Sequence, residues 1–264
     1  MLQHLAFAMH SRGQDAGREI GERELTEVLC AYLRERRHMS QADAEALVAN
    51  LVAVSRQRGG LLEERAGRYR FSHLSFQEFL TARYLAEVER DVNRIAVFFE
   101  AQDRLTDAWW REPILLTGGY LHVTAPDSAT AFVRRLAHAG VSQPPHTAPT
   151  LAAAELATAA FLEWGGTEAT QQSLADRLVA MVTDPTLPAA SPPLRAAAGR
   201  VLARLGDPRE GVGTHGTVPH FAWRTVPAGP FLLGANVNDK VLHDICPLNI
   251  PPCSVLRCLS LARR

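Results

Sequence analysis

The stretch Tyr69-Arg-Phe-Ser-His-Leu-Ser-Phe-Gln-Glu-Phe-Leu-Thr-Ala-Arg-Tyr-Leu85 decides the fold of this part of the chain. Its pattern predicts a short strand that runs directly into an amphipathic helix. Ser75 and Glu78 have the spacing of a capping box, in which the serine hydroxyl and the glutamate carboxylate each accept a hydrogen bond from the other residue's amide. Leu74 and Phe79 are spaced to form the accompanying hydrophobic staple. We therefore predict that Ser75 caps the helix.

His73 lies two residues before this predicted cap. A helix N-terminus presents free amide groups and the positive end of the helix dipole, so it favours an anion. The chemistry leaves two interpretations of His73 open: it braces the strand–helix junction through a buried hydrogen bond, or it contacts an anionic group. One helical face is predicted to consist of Phe76, Phe79, Leu80, Tyr84 and the stem of Arg83.

The segment Phe71-Ser-His-Leu-Ser-Phe-Gln-Glu-Phe-Leu80 resembles the end of the winged-helix region of bacterial NACHT-type signalling NTPases, which belong to the STAND class. In that family, the histidine of the motif reaches the nucleotide phosphates and helps to hold the resting, ADP-bound state. The resemblance implies this nucleotide-sensing role for His73 in an intact parent protein, with ADP or ATP as ligand and the nucleotide-binding domain as partner. The other motif positions are Phe71, Ser75, Phe76, Gln77, Glu78 and Phe79.

The residues before this motif predict a winged-helix-like module over 1–90. Helical spacing of apolar residues occurs over 1–12 and 22–33, and Ser40 or Asp43 can cap a third helix. A two-stranded wing then turns at Ala66-Gly67. Winged helices often bind DNA, but the third helix has no lysine or arginine over 42–54. Nucleic acid is therefore the weaker hypothesis for the partner.

The region 91–209 is predicted to be almost wholly helical. The alanine-rich run 151–161 permits close helix–helix approach, and the unit 194–208 is similar to one helix of a HEAT-type repeat. Trp109 and Trp110 resemble a feature of bacterial NACHT proteins; as a pair they indicate core packing, with a ligand platform as the alternative. We expect this HEAT-like array to contact protein partners.

After a glycine-rich linker over 210–220, the pattern changes. Residues 221–234 predict two short strands around a Pro-Ala-Gly turn and resemble the start of a formylglycine-generating, sulfatase-modifying domain, with Leu233 in place of the usual methionine. The resemblance stops there, and none of Cys246, Cys253 and Cys258 matches the reactive cysteines of that family. Residues 221–264 are therefore expected to be a truncated domain start with an irregular tail.

Composition excludes several functions. The 28 basic and 28 acidic residues give zero formal net charge, so there is no general attraction to nucleic acid. Neither a signal peptide nor an apolar run long enough for a membrane span is present, and four cysteines without a zinc or disulfide pattern favour the cytosol. His243, Asp244 and Cys246 form a loose group that offers metal ligands, but no metal site is expected.

No phosphate-binding loop and no recognisable catalytic set occurs in the sequence, so we expect no catalytic residues and no cofactor in this chain. The fold class is mainly α: a winged-helix-like module, a helical HEAT-like array and a short β-hairpin. The favoured hypothesis is a non-catalytic regulatory part of a NACHT-type NTPase that couples nucleotide state to a C-terminal effector. The alternatives are a sulfatase-modifying enzyme and a free-standing helical adaptor.

Overall fold

The computed structural model describes residues 1–58, 60–139, 147–185, 187, 192–215, 217–219, 230–233 and 254–257. The chain forms two compact units, Met1–Arg209 and Glu210–Arg264. The described part is mainly helical with a small antiparallel sheet, which confirms the predicted fold class. The predicted domains 1–90 and 91–209 both lie in the first unit, and the boundary between them stays a prediction.

The N-terminal part has the order of helices and strands expected of a winged helix. Its elements are α1 (Leu2–His10), α2 (Gly13–Ala16), β1 (Ile20–Gly21), α3 (Glu22–Arg37), α4 (Gln41–Arg58), β2 (Leu62–Arg65), β3 (Arg68–Phe71) and α5 (Leu74–Tyr84). The predicted wing is confirmed: β2 and β3 pair antiparallel, and both turn residues, Ala66 and Gly67, have positive φ angles. Strand β1, which no sequence pattern predicted, pairs antiparallel with the other side of β3.

Local signals explain where these helices begin and end. Ser40 caps α4, since its hydroxyl accepts from the amide of Asp43 at 3.2 Å and donates to the Asp43 carboxylate at 2.6 Å. At the end of α3, His38 has a left-handed backbone (φ 55°) that stops the helix. The predicted cap by Ser40 is therefore confirmed.

The following helical part begins with a π-helical turn (Leu85–Glu89) and contains a 3₁₀ turn (Ala101–Asp103). Its α-helices are α6 (Val92–Glu100), α7 (Ala108–Thr124), α8 (Pro126–Ala137), α9 (Ala148–Trp164), α10 (Glu168–Val182) and α11 (Pro192–Leu205). The alanine-rich α9 packs against α7, α8, α10 and α11, and its residues from Thr150 to Phe161 are all buried. Small side chains permit this close packing, as predicted, whereas α10 was not identified from the sequence. The HEAT-like character of the region stays a prediction.

Two hydrophobic clusters form the core of the first unit. The first is built from α1, α3, α4 and the sheet, and the second from the helices after Leu85. Helix α5 lies between them, because Leu80 packs against the first cluster and Leu74 against the second. Trp109 and Trp110 are buried in the second cluster, which confirms the core-packing interpretation of this pair.

The second unit is described in four short strands. Strand β4 (Thr214–His215) pairs antiparallel with β5 (Val218–Pro219), and β6 (Pro230–Leu233) pairs antiparallel with β7 (Ser254–Arg257). Strand β6 falls in the predicted hairpin over 221–234, while β7 falls in a tail for which the sequence indicated no strand. The rest of that hairpin lies outside the described residues, as do His243, Asp244 and the three C-terminal cysteines. Among the helices that the structure describes, none is both long and apolar enough to span a membrane.

Candidate functional site

His73 lies at the junction between β3 and α5. The ladder of β3 ends with the Leu62–Phe71 pair, and the backbone of His73 is still extended (φ −131°, ψ 142°) when the helix begins at Leu74. The imidazole is exposed, and within the described part of the chain its side chain caps no helix amide and makes no hydrogen bond. Its ring approaches that of Phe76 at 5.6 Å between centroids. The buried bracing interpretation of His73 is therefore wrong.

The predicted capping box is also wrong. The N-cap of α5 is His73, two residues before Ser75, and neither Ser75 nor Glu78 makes a side-chain cap bond. The physical reason is the strand pairing: Ser72 still donates its amide to Leu61 at 3.0 Å, so the chain leaves the sheet and turns helical immediately afterwards. Ser75 is consequently already inside the first turn, where it is exposed to solvent.

The predicted apolar face of α5 is wrong for Phe76 and Phe79, which the structure exposes. Phe76 is 38% exposed and Phe79 is 39% exposed, whereas the polar Gln77 and Thr81 are buried. Tyr84 is buried as predicted, and Leu80 is half-buried. Since Phe76 and Phe79 are three residues apart, they lie side by side on the outer surface of the helix. Phe79 also approaches Tyr120 of α7 in an edge-on contact at 6.1 Å.

Gln77 faces inward because it satisfies buried backbone. Its amide nitrogen donates to the carbonyl oxygen of Gly17 at 2.9 Å and lies 3.5 Å from Nδ1 of His10. Gly17 is needed for this corner, since a Cβ atom there would lie 2.5 Å from two carbonyl oxygens, those of Met9 and Gly13. The motif glutamine thus ties α5 to the corner between α1 and β1.

His10 continues this connection into α7. Its ring stacks on Trp109 at 4.2 Å, its Nε2 donates to the carbonyl oxygen of Trp109 at 3.0 Å, and the indole of Trp109 donates to the carbonyl oxygen of His10 at 2.9 Å. His10 is fully buried, and this burial lowers its pKa to about 4. The sequence analysis did not single out His10, and no local pattern identifies a contact between residues 99 positions apart.

Glu78 is the acidic residue of the motif. It is half-buried; burial raises the pKa of its carboxyl group, and the nearby carboxylate of Glu112 raises it further. No cation lies within 4.0 Å of Glu78 among the residues that the structure describes. Partial burial beside a like charge, without an ion pair, is a known cause of a raised carboxyl pKa.

This environment leads to a pH-dependent prediction. Because the folded pKa of Glu78 lies above the unfolded one, its charge destabilises the fold at neutral pH, and this penalty disappears when acid protonates the group in both states. Glu78→Gln is therefore expected to raise the melting temperature at pH 7 and to leave it nearly unchanged at pH 4. Glu163→Gln, at an exposed position of α9, is the matched control. Equal changes in melting temperature for Glu78→Gln at both pH values would contradict a raised pKa of Glu78.

The site described by the structure is a surface rather than an active-site cleft. The described residues contain no group of histidine, cysteine and acidic side chains able to hold a metal ion. The surface presents one exposed imidazole at a helix N-terminus and two exposed aromatic rings, and a half-buried carboxylate lies on the same helix. Aromatic side chains contribute strongly to the energetics of interfaces between proteins.

Comparison with known proteins finds a similarity in the first part of the chain. Residues 1–85 match the family model described as "Winged helix-turn-helix domain C-terminal to NACHT". Searches of curated proteins and of solved structures returned no significant match. The winged-helix part of the predicted resemblance is thus supported, since residues 1–85 are similar to a domain that follows NACHT. The HEAT-like and sulfatase-modifying resemblances are outside the matched residues.

Proposed function

We propose that this chain is the nucleotide-responsive regulatory part of a NACHT-type signalling NTPase and is not itself catalytic. The observation that carries this proposal is the exposed surface of His73, Phe76 and Phe79 at the start of α5, in a segment that matches a domain found next to NACHT. In the resting parent, this surface covers the nucleotide-binding domain.

His73 supplies the chemical link to the nucleotide. Its imidazole is free of intramolecular hydrogen bonds in the described structure and stands at the N-terminus of α5, where the helix dipole favours a phosphate group. A hydrogen bond from this imidazole to the ADP phosphates stabilises only the closed arrangement of the two domains. Exchange of ADP for ATP then shifts the population towards an open form.

Phe76 and Phe79 supply the contact with the nucleotide-binding domain. Two neighbouring aromatic rings on the outer side of this helix are well explained by a partner that covers them, since large aromatic side chains contribute strongly to binding surfaces. The carboxylate of Glu78 on the same helix is already partly buried, and it forms an ion pair with a basic group of the same partner.

A movement of α5 is transmitted to the helices against which it packs. The helix packs against α1 and α7, and the Gln77–His10–Trp109 connection ties these three helices by hydrogen bonds. Displacing α5 therefore displaces the base of the helical region, which we propose carries the signal to a C-terminal effector and contacts protein partners. A bacterial origin, cytosolic location and HEAT-like packing are part of the same proposal.

A double substitution tests the docking surface. Phe76→Ser with Phe79→Ser is expected to weaken the association of this chain with the ADP-loaded nucleotide-binding domain of its parent by at least about tenfold, because it removes two central apolar contacts. Calorimetry on the two purified parts measures the effect. Val123→Ser, at a valine of α7 that is 82% exposed, is the matched control. An unchanged affinity in the double variant would refute the docking role.

The genomic neighbourhood separates this proposal from its alternatives. We expect the coding sequence upstream to contain the pattern Gly-x-x-x-x-Gly-Lys-Ser/Thr, which cradles nucleotide phosphates. Its absence would favour the free-standing helical adaptor, while a complete sulfatase-modifying domain downstream would favour the enzyme alternative.

A further inference from the structure

A cavity of about 720 Å³ lies where the winged-helix part meets the helices that follow it. Ligand-binding cavities in proteins commonly fall in this size range. Its wall combines the C-terminal end of α3, the π-helical turn after α5, the end of α7 and the start of α8. The polar side chains of the wall are Gln3, Tyr32, Arg36, Arg37, Glu87, Arg90, Tyr120, Thr124 and Ser128.

The cavity is strongly basic. Arg36, Arg37 and Arg90 line it, and none of the three has a carboxylate within 4.0 Å among the described residues. Arg90 donates from Nε to the backbone oxygen of Glu87 at 2.9 Å, which leaves its terminal nitrogens unused. Elsewhere in the first unit, several arginines form ion pairs with acidic side chains, as Arg111 does with Glu155 at 2.8 Å. Three guanidinium groups without a carboxylate partner in the described part of the chain therefore share one wall.

The carboxylate of Glu87, which lines the same wall, already has partners within the protein. Glu87 accepts hydrogen bonds from Tyr120 at 2.5 Å, Arg83 at 2.8 Å and Gln3 at 3.1 Å. These donors, the Tyr120 hydroxyl foremost, lower the pKa of the Glu87 carboxyl group. Glu87 is thus already paired with Arg83, which does not line the cavity, and it forms no ion pair with Arg36, Arg37 or Arg90.

We propose that this cavity binds a small phosphorylated molecule carrying at least two negative charges. Guanidinium groups bind phosphate oxygens in a bidentate manner, and several of them together favour a multiply charged ligand. The hydroxyl groups of Tyr32 and Ser128 supply further hydrogen-bond donors on the same wall, whereas that of Thr124 already donates to the carbonyl oxygen of Tyr120. The site is separate from His73, which does not line the cavity.

The position of the cavity gives such a ligand a regulatory effect. Arg36 and Arg37 belong to the winged-helix part, whereas Ser128 belongs to the following helices, so an anion bound to these groups holds the two parts together. The connecting segment is a π-helical turn that ends at Arg90 with a left-handed backbone (φ 53°), and such turns are frequent at functional sites. Ligand binding therefore favours one arrangement of this joint, independently of the nucleotide proposed to contact His73.

Titration of the full chain with inorganic pyrophosphate tests the site. Calorimetry is expected to show saturable binding that weakens as sodium chloride is added, and Arg36→Gln with Arg37→Gln is expected to weaken it at least tenfold. Because both arginines are exposed and unpaired, the variant is expected to fold, which its circular dichroism spectrum checks. Arg23→Gln, an exposed arginine on the same helix α3, is the matched control and is expected to bind as the wild type does.

The other arms of the titration identify the ligand class and the location. Citrate is expected to bind more weakly than pyrophosphate if phosphate is the recognised group; equal binding would overturn that assignment. His73→Ala is expected to leave pyrophosphate binding unchanged, and loss of binding in that variant would place the anion at α5 instead of in the cavity. Absence of saturable pyrophosphate binding to the wild type, or equal binding to the double-arginine variant, would overturn the proposal.

Discussion

Replacement of His73 by alanine in a parent protein with its nucleotide-binding domain is expected to accelerate ADP release by about ten- to a hundredfold. The imidazole is exposed and unbonded in the described structure, so its loss removes no intramolecular hydrogen bond. A hydrogen bond to a charged group contributes roughly 1.5–3 kcal/mol, which corresponds to this change in affinity. The dissociation rate of a fluorescent ADP analogue is the measurement.

Melting temperature provides the second readout for His73→Ala. Without nucleotide, the variant is expected to melt close to the wild type, because an exposed cap residue without a cap bond contributes little to stability. Ser75→Ala is the matched control: Ser75 is equally exposed two positions further along but is not the helix cap. A His73→Ala protein with normal ADP release and a clearly lowered melting temperature would assign His73 a structural role instead.

Acidification from pH 7 to pH 4 is expected to lower the free energy of unfolding of the first unit by on the order of 3 kcal/mol through His10 alone. The folded pKa of His10 is about 4, compared with about 6.5 in the unfolded chain. At pH values between these two pKa values, the His10 ring is protonated in the unfolded chain and neutral in the folded chain. The free energy of unfolding therefore falls as the pH falls. Below pH 4 both states are protonated, and the loss from this residue stops.

His10→Gln is the variant that measures this contribution. Glutamine does not titrate, so the difference in unfolding free energy between pH 7 and pH 4 is expected to shrink by on the order of 3 kcal/mol relative to the wild type. Burial also lowers the pKa values of His4 and His138, and their share remains in both proteins. Urea unfolding at the two pH values gives the comparison.

Trp109→Phe distinguishes the stability that the Trp109–His10 contact contributes from the pH dependence that protonation of His10 causes. It removes the indole donor to the carbonyl oxygen of His10 but leaves the histidine in place, so stability is expected to fall at both pH values while the pH dependence remains. An NMR titration of the wild type adds a direct test, since the His10 ring is expected to stay neutral down to about pH 5. A ring that gains its proton near pH 6.5 would contradict the buried environment.

The sequence predicted the helices, turns and caps more accurately than it predicted which side chains are buried. The wing at Ala66-Gly67, the Ser40 cap and the alanine-rich α9 were correctly read from residue types, because turns, caps and helix spacing depend on residues a few positions apart. Strand β1 was missed because it has only two residues, and α10 was missed although Thr167 caps it. The family resemblance of the motif around His73 was also correct as far as residue 85.

The sequence by itself determined that a strand ends near Phe71, that a helix follows, and that a NACHT-associated motif spans the join. Only the tertiary structure decided which side of α5 is buried. Gln77 turns inward because a carbonyl oxygen 60 residues away, that of Gly17, requires a donor, and Phe76 and Phe79 are thereby directed outward. Helical periodicity places side chains on faces, but the burial of a face depends on the groups that distant segments bring against it.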